Sequence, residues 1–367
     1  MEESLRGKRA PLDAVTLADG TDLLAEWQER GKIIEQALGH TTGEVPWREF
    51  DPATLRWYVH HLGVSGDDEQ EVHRVIRERL LDGRSRLEPR EIQQLVLLFG
   101  REDVVRRALH RNLLDCRART SADRRWDERV ESAENVLQSL KLAIEFFGRH
   151  VGIDGVTLDG LRATSGSADY IAMRECLVNL FIHQDYGDGR TAGQIEIAPD
   201  RAMFFNAGKS LVDDPALAEG GRSQSRNPLI NRALRLIGFA ELAGSGLREV
   251  QQAWREARRR PPVITSDTTD NTFTLTLDWR SAPDTSDAFW REKLGVTLSS
   301  PEAQALGLSA DPNGVTINQI AAAQGLLIDD AHALAQGLVK KGLVQERDGV
   351  IYIQDHLKPL VEQSQAP

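Results

Sequence analysis

Arg174-Glu-Cys-Leu-Val-Asn-Leu-Phe-Ile-His-Gln-Asp-Tyr186 is the stretch that decides what kind of chain this is. Glu175, Asn179 and His183 follow one another at intervals of four. At 3.6 residues per turn such positions drift by only about 40° per step, so the three share one helical face. Leu177, Val178 and Phe181 lie elsewhere on the helix and can bury it. A carboxylate and a carboxamide one turn apart suit two jobs. The carboxylate can orient and deprotonate water, and the amide oxygen can ligate Mg²⁺, a hard cation that prefers oxygen. The same spacing also describes a polar helix face in solvent, and spacing alone leaves both readings open.

Outward from this segment the pattern is mixed. Towards the N-terminus, Val130–Phe147 reads as an amphipathic helix carrying Val136, Leu137, Leu140, Ile144 and Phe147. Asp51 and Pro52 read as the cap and first residue of an earlier helix, with further helices over Glu71–Leu81 and Glu88–Phe99 and a short strand near Leu114. Leu23–Leu38 has apolar residues at helical spacing on an N-terminal extension. Towards the C-terminus, Ser167 or Asp169 can cap the central helix, and Gln194–Ile197 with Ala202–Phe205 reads as a hairpin turning at Pro199–Asp200. Helices over Pro228–Ile237 and Gly246–Arg259 and a strand over Phe273–Trp279 follow. Arg280–Ser286 is the best linker candidate. Beyond it, a helix over Thr316–Ala323 and a second one capped by Asp329 and ending at Gly342 precede a hairpin of Leu343–Gln345 and Val350–Ile353, the order of a winged helix.

The fold class expected is therefore α+β. Four parts are expected: an extension over 1–45, a helix-turn-helix-like module over 46–129, a central domain over 130–280 and a winged helix over 288–358. The 367 residues suit roughly two or three domains. Hydrophobic residues at 40% and charged residues at 28% are an ordinary globular balance. No stretch approaches the roughly 18 apolar residues of a membrane span, and Met1–Ala10 lacks a signal-peptide core, so the cytoplasm is the expected location. Cys116 and Cys176 are the only cysteines, which excludes a disulfide framework and a cysteine zinc cluster. A net charge of −11 argues against bulk polyanion binding but leaves local patches open, above all Arg101–Arg129, where arginines alternate with acids.

Glu175-x-x-x-Asn179 resembles the N-box of the GHKL ATPases. The longer run Glu175–Tyr186 is similar to the corresponding motif of RecG-like C-terminal ATP-binding domains, which usually follow a Schlafen-type AlbA-like domain in bacterial proteins. Three further matches stand in order: Phe205-Asn-Ala-Gly208, Ser225-Arg-Asn-Pro-Leu-Ile230 and Glu241-Leu-Ala-Gly-Ser-Gly246. The resemblance covers roughly Trp47 to Trp279. It implies a GHKL-type α/β sandwich that binds ATP and Mg²⁺. By that resemblance Glu175 is the general base, Asn179 the Mg²⁺ ligand, and Asn206 stands where relatives carry an adenine-contacting acid. Gly208 allows the backbone to approach the nucleotide, and Gly244-Ser245-Gly246, opening a helix, can hold phosphates. Arg226 and Lys209 are candidate phosphate partners. The sequence departs from the family at Ala207, Gln184 and Asn206, the last of which removes a charge-assisted bond. The AlbA-like domain is not recognisable in residues 1–45.

The resemblance implies a slow ATPase or an ATP-dependent switch in bacterial gene regulation or phage defence. The alternatives are a nucleotide-responsive DNA-binding transcriptional regulator and a pseudo-ATPase scaffold. From Asp287 to Lys358 nine acidic residues stand against six Lys and Arg, and the second helix offers Gln336, Lys340 and Lys341 but no Arg. That composition favours a protein partner or homodimer over DNA at the winged helix.

Overall fold

A computed structural model describes residues 43–66, 68–121, 125–152, 167–189, 191–212, 225–240, 246–281, 290, 292, 294–311 and 313–360. The chain divides into two compact units, one running up to Arg111 with Ala133–Leu137, the other taking Asn112–Ser132 and everything from Gln138. The helix expected over Leu23–Leu38 lies outside the described residues, as does the expected linker beyond Ser281.

The first unit is helical. The Asp51 carboxylate accepts from the N–H groups of Ala53 and Thr54 at 3.3 and 2.9 Å, and Pro52 opens α1 (Pro52–His61). Donors that the first turn would otherwise leave unpaired are thereby satisfied. Helices α2 (Glu69–Arg79), α3 (Pro89–Phe99) and α4 (Glu102–Leu109) follow, with Tyr58, Ile76, Leu95, Leu98, Phe99 and Val105 buried. The arginines of α4 are paired: Arg106 with Glu102, and Arg107 with Glu49 and Asp103.

The second unit is built on a mixed six-stranded sheet. Strands β1 (Leu114–Ala118) and β2 (Glu128–Ser132) are antiparallel, and β1 runs parallel to β3 (Gly193–Ala198). Antiparallel pairing then joins β3 to β4 (Arg201–Ala207), β4 to β6 (Thr272–Asp278) and β6 to β5 (Val263–Asp267). The spatial order is β2-β1-β3-β4-β6-β5. Register aligns Cys116, Ile195, Phe204 and Leu275 on one buried face. Helix α5 (Val136–Val151) lies against that face through Phe147, whose ring stacks 5.8 Å from Phe204. Helix α6 (Ala168–His183) packs on β4, while α7 (Pro228–Leu236) and α8 (Gly246–Glu256) pack on α6.

Two boundaries differ from expectation. The helix expected from Val130 begins at Val136, because residues 128–132 alternate between more and less covered positions at a strand's period of two. Residues 114–118, expected with the helical module, and residues 128–132, expected as the end of that module and the start of the helix from Val130, are strands of this sheet, because the apolar side of β1 pairs in register with that of β3. On the other side of the sheet Asp115 is clamped by Arg117 and Arg129, and Arg119 pairs with Glu196. Burial alone would raise the Asp115 carboxyl, but the hydrogen bonds from Arg129 and Arg117 and the charges of both outweigh it and hold it below the usual carboxylate range.

The C-terminal segment runs α9 (Ser300–Leu308), β7 (Val315–Thr316), α10 (Ile317–Gln324), α11 (Ile328–Lys340), β8 (Val344–Arg347) and β9 (Val350–Ile353), with the strands ordered β7-β9-β8. Its core gathers Trp290, Leu306, Ile320, Leu338, Ile351 and Ile353. Helix α9 starts with a capping box, Ser299 with Glu302, a signal the sequence carries in Ser-x-x-Glu. Asp329 does not cap α11. Leu327 holds the cap position, and Asp329 and Asp330 sit inside the first turn, where the helix dipole favours acids. Among the described residues no helix is long and apolar enough to cross a membrane.

Candidate functional site

Helix α6 is pinned along its length before any ligand is considered. Ser167 Oγ caps it by accepting from Tyr170 N–H at 3.2 Å. In the first turn the Asp169 carboxylate accepts from Arg259 Nη2 at 2.9 Å and Trp279 Nε1 at 2.8 Å. Burial alone would raise that carboxyl, but the hydrogen bonds from Arg259 and Trp279 and the Arg259 charge outweigh it and hold it low. At the far end Asn227 Nδ2 donates to the carbonyls of Ile182 and Gln184 at 3.2 and 2.8 Å, and Asn227 N–H donates to Ile182 O at 3.0 Å. The Ser225–Asn227 motif thus satisfies carbonyls that a helix C-terminus leaves without internal partners.

Between these anchors stand Glu175 and Asn179. Glu175 is 3% exposed, and its Oε1 accepts from Arg174 Nε and Nη2 at 3.1 and 2.9 Å. The same Nη2 reaches Glu249 Oε2 on α8 at 3.4 Å. Gly246 is the first residue of α8, and a Cβ placed there would fall on Glu175 Oε2. That position also lies 3.9 Å from Asn179 Nδ2, a buried nitrogen with no hydrogen-bond partner. The structure therefore brings Glu175, Asn179 and Gly246 together at the N-terminal end of α8, where backbone N–H groups and the helix dipole favour anions. Gly244 and Ser245 lie outside the described residues.

The second group sits where β4 ends. Asn206 is buried, and its Nδ2 donates to Ala207 O at 3.1 Å and Gly208 O at 3.5 Å. Spending the donor on two carbonyls fixes the amide with Oδ1 turned away from them as its acceptor. Gly208 has φ +110°, and a Cβ there would lie 2.9 Å from His183 O and 3.0 Å from Arg226 Nε. Only glycine fits this close approach of the strand end to the end of α6. Asp185 N–H donates to Ala207 O at 2.7 Å, and Asn271 binds both Asp185 Oδ2 and Lys209 N–H.

Arg226 departs from its expected role as a phosphate partner. Its Nε donates to His183 O at 3.2 Å and its Nη2 to Lys209 O at 2.9 Å. A guanidinium only 4% exposed must hydrogen-bond, and these carbonyls are what the fold places beside it. Burial first, and then the Arg226 charge, push His183 down to about 4, so its ring is neutral at pH 7. Desolvation also pushes the Cys176 thiol up, leaving it inert beside Glu175. Sequence reasoning assigned no role to Arg174, Glu249, Asn227 or Asn271. Arg174 and Asn227 stood inside quoted motifs, whereas Glu249 and Asn271 carried no signal until the chain was folded.

Residues 191–277 match the family model described as "Putative ATP-dependent DNA helicase recG C-terminal". The match is one of similarity to an ATPase-like domain over that segment. The segment runs from the start of β3 to the end of β6 and so contains Asn206, Gly208, Arg226 and Gly246, while Glu175 and Asn179 precede it. Among solved structures, the DIP2311 protein from Corynebacterium diphtheriae is similar over 91% of this chain and 69% of its own, with TM-score 0.50 and 16% identity, a likeness of fold. No curated protein matches the sequence.

The matched description implies a nucleotide, and the residues present fit one. An orphaned amide nitrogen at Asn179, a glycine cradle at Gly246 and the start of a helix converge beside one buried carboxylate. Among the described residues no cluster of three or more His, Cys, Asp or Glu could hold a metal by itself. A Mg²⁺ here would be shared with phosphate oxygens, as is usual for this cation.

Proposed function

We propose that the chain binds Mg²⁺–ATP in the space between α6, the end of β4 and the start of α8, and that it is a slow ATPase or an ATP-dependent switch. The observation that carries this reading is the meeting of Glu175 and Asn179 with Gly246 at the first turn of α8. The ATPase-like match over residues 191–277 supports it. Asn179 would turn its amide oxygen towards Mg²⁺, which when bound supplies charge stabilisation at the phosphates. Glu175 would orient a water and accept its proton. The locked Asn206 amide would offer Oδ1 to a donor such as an adenine amino group.

Contact with DNA through Arg101–Arg129 is the weaker companion proposal, because Arg101, Arg106, Arg107, Arg117, Arg119 and Arg129 are each paired with a carboxylate. For the C-terminal segment we favour a protein partner. The outward positions of α11 include Asp329, Asp330, His332, Gln336 and Lys340, without arginine.

The test is Mg²⁺–ATP calorimetry paired with phosphate release for the wild type and Glu175→Ala. The expected result is binding in both, with turnover falling by about 100-fold or more in the variant. Equal turnover in the two proteins would sink the assignment of Glu175. Absence of binding at millimolar ATP would sink the reading as a whole.

A further inference from the structure

Arg174 and Glu175 are consecutive on α6, and consecutive helical positions are splayed by about 100° and do not face each other. Their double hydrogen bond is therefore not a default of the helix surface. It forms in the groove between α6 and α8, where Glu249 reaches the same guanidinium from the first turn of α8. We infer that Arg174 is a positioning residue for Glu175, held between α6 and α8 by Glu249 so that the Glu175 carboxylate keeps Oε1 on the guanidinium and Oε2 against Gly246. This rests on the ATP reading, since the aim of Glu175 matters only if its carboxylate acts on a water.

Three features make the arrangement a device for aiming a carboxylate. The Arg174, Glu175 and Glu249 side chains are 15, 5 and 31% exposed, so solvent screens them less than an open surface pair. The guanidinium donates from a rigid planar fork, and two of its nitrogens meet one oxygen, which restricts rotation of the carboxylate. Gly246 closes the opposite side, because any side chain there would occupy the place of Oε2. A carboxylate restrained on both sides keeps one oxygen in a defined direction, and reaction rates are sensitive to such alignment. Glu249 contributes from α8, so the spacing of the two helices and the aim of Glu175 are set by the same guanidinium.

The experiment uses the full chain and its Arg174→Gln, Arg174→Lys and Glu249→Gln variants, with kcat and KM from phosphate release, ATP affinity from calorimetry, and a thermal melt. Arg174→Gln is expected to lower kcat by about 10–100-fold while KM and the dissociation constant stay within about threefold. Arg174→Lys should recover part of that loss, since it keeps the charge without the fork. Glu249→Gln should cost about two- to fivefold in kcat, because Arg174 keeps its charged contact with Glu175. A wild-type kcat in Arg174→Gln overturns the inference. So does a loss that Lys fails to recover and that comes with a raised KM and a lowered melting temperature, the mark of a merely structural residue. Wild-type protein that binds no Mg²⁺–ATP overturns the functional reading instead, and binding without turnover removes hydrolysis and the positioning role together.

Discussion

Around α6 the second unit buries Glu175, Gln184, Asp185, Asn206, Arg226, Asn227 and Gln251, whereas among the described residues beyond Ser281 only Ser309 is a buried polar side chain. The C-terminal segment is held instead by an apolar core of Trp290, leucines, isoleucines and alanines. Burying a polar group costs free energy unless it is paired, so a concentration of them needs a compensating reason. At the ends of α6 the reason is structural, since Asn227 and Arg226 satisfy backbone carbonyls. At its middle Glu175 is paired with Arg174, whereas the buried Asn179 nitrogen has no partner, and it is this nitrogen that the ligand reading proposed above would account for. The contrast separates a region held by an apolar core from one that concentrates buried polar side chains, where we propose a ligand.

The sharpest way to break that contrast is Gly246→Ala. Its Cβ would compete for the position of Glu175 Oε2, so either the carboxylate or α8 must move. Turnover should fall by about 10–100-fold and stability by about 1–3 kcal/mol, read by phosphate release and denaturant unfolding. Unchanged kinetics would mean that Glu175 is not aimed at the α8 terminus.

Acidification should produce the next largest effect. His183 lies near 4 in the folded chain against 6.5 for the free side chain. The unfolded chain therefore binds the extra proton between these values, and stability falls as pH drops from about 7 towards 4, with no further loss from this group below that. The full loss is up to about 3 kcal/mol. His183→Gln should flatten this limb of the unfolding free energy against pH, and an unaltered slope would assign it to other groups.

The smallest effect belongs to the C-terminal segment. Lys341 Nζ sits 2.8 Å from Glu302 Oε1 at the surface. Lys341→Ala should cost about 0.5 kcal/mol, less at high salt, and leave nucleotide turnover untouched. A marked loss of turnover would show that the two regions are functionally coupled.

Much of this was legible in the sequence. Four-residue spacing located α6, its cap was narrowed to Ser167 or Asp169, of which Ser167 holds the place, and Pro199–Asp200 marked the β3–β4 turn. Residues 128–132 were missed as a strand because their neighbours from Val136 onward carry a strong helical period that extends smoothly backwards. Strand β5 carried no assignment at all, since an edge strand of mostly half-covered residues shows no clean alternation. Arg226 was assigned to phosphate because a cation near a glycine turn invites that reading, whereas its direction depends on the carbonyls of His183 and Lys209.

By itself, then, the sequence determined the helical face shared by Glu175 and Asn179, the glycine at the end of β4 and the α+β class, because each follows from local period and backbone freedom. Only the tertiary structure decided that Arg174 turns to Glu175, that Gly246 closes on the same carboxylate, and that Arg226 faces the backbone. Those outcomes depend on how α6 meets α8 and β4. Arg174 and Glu249 are 75 residues apart, and no local period connects them. Packing does, by burying charges where their remaining partners must come from another element.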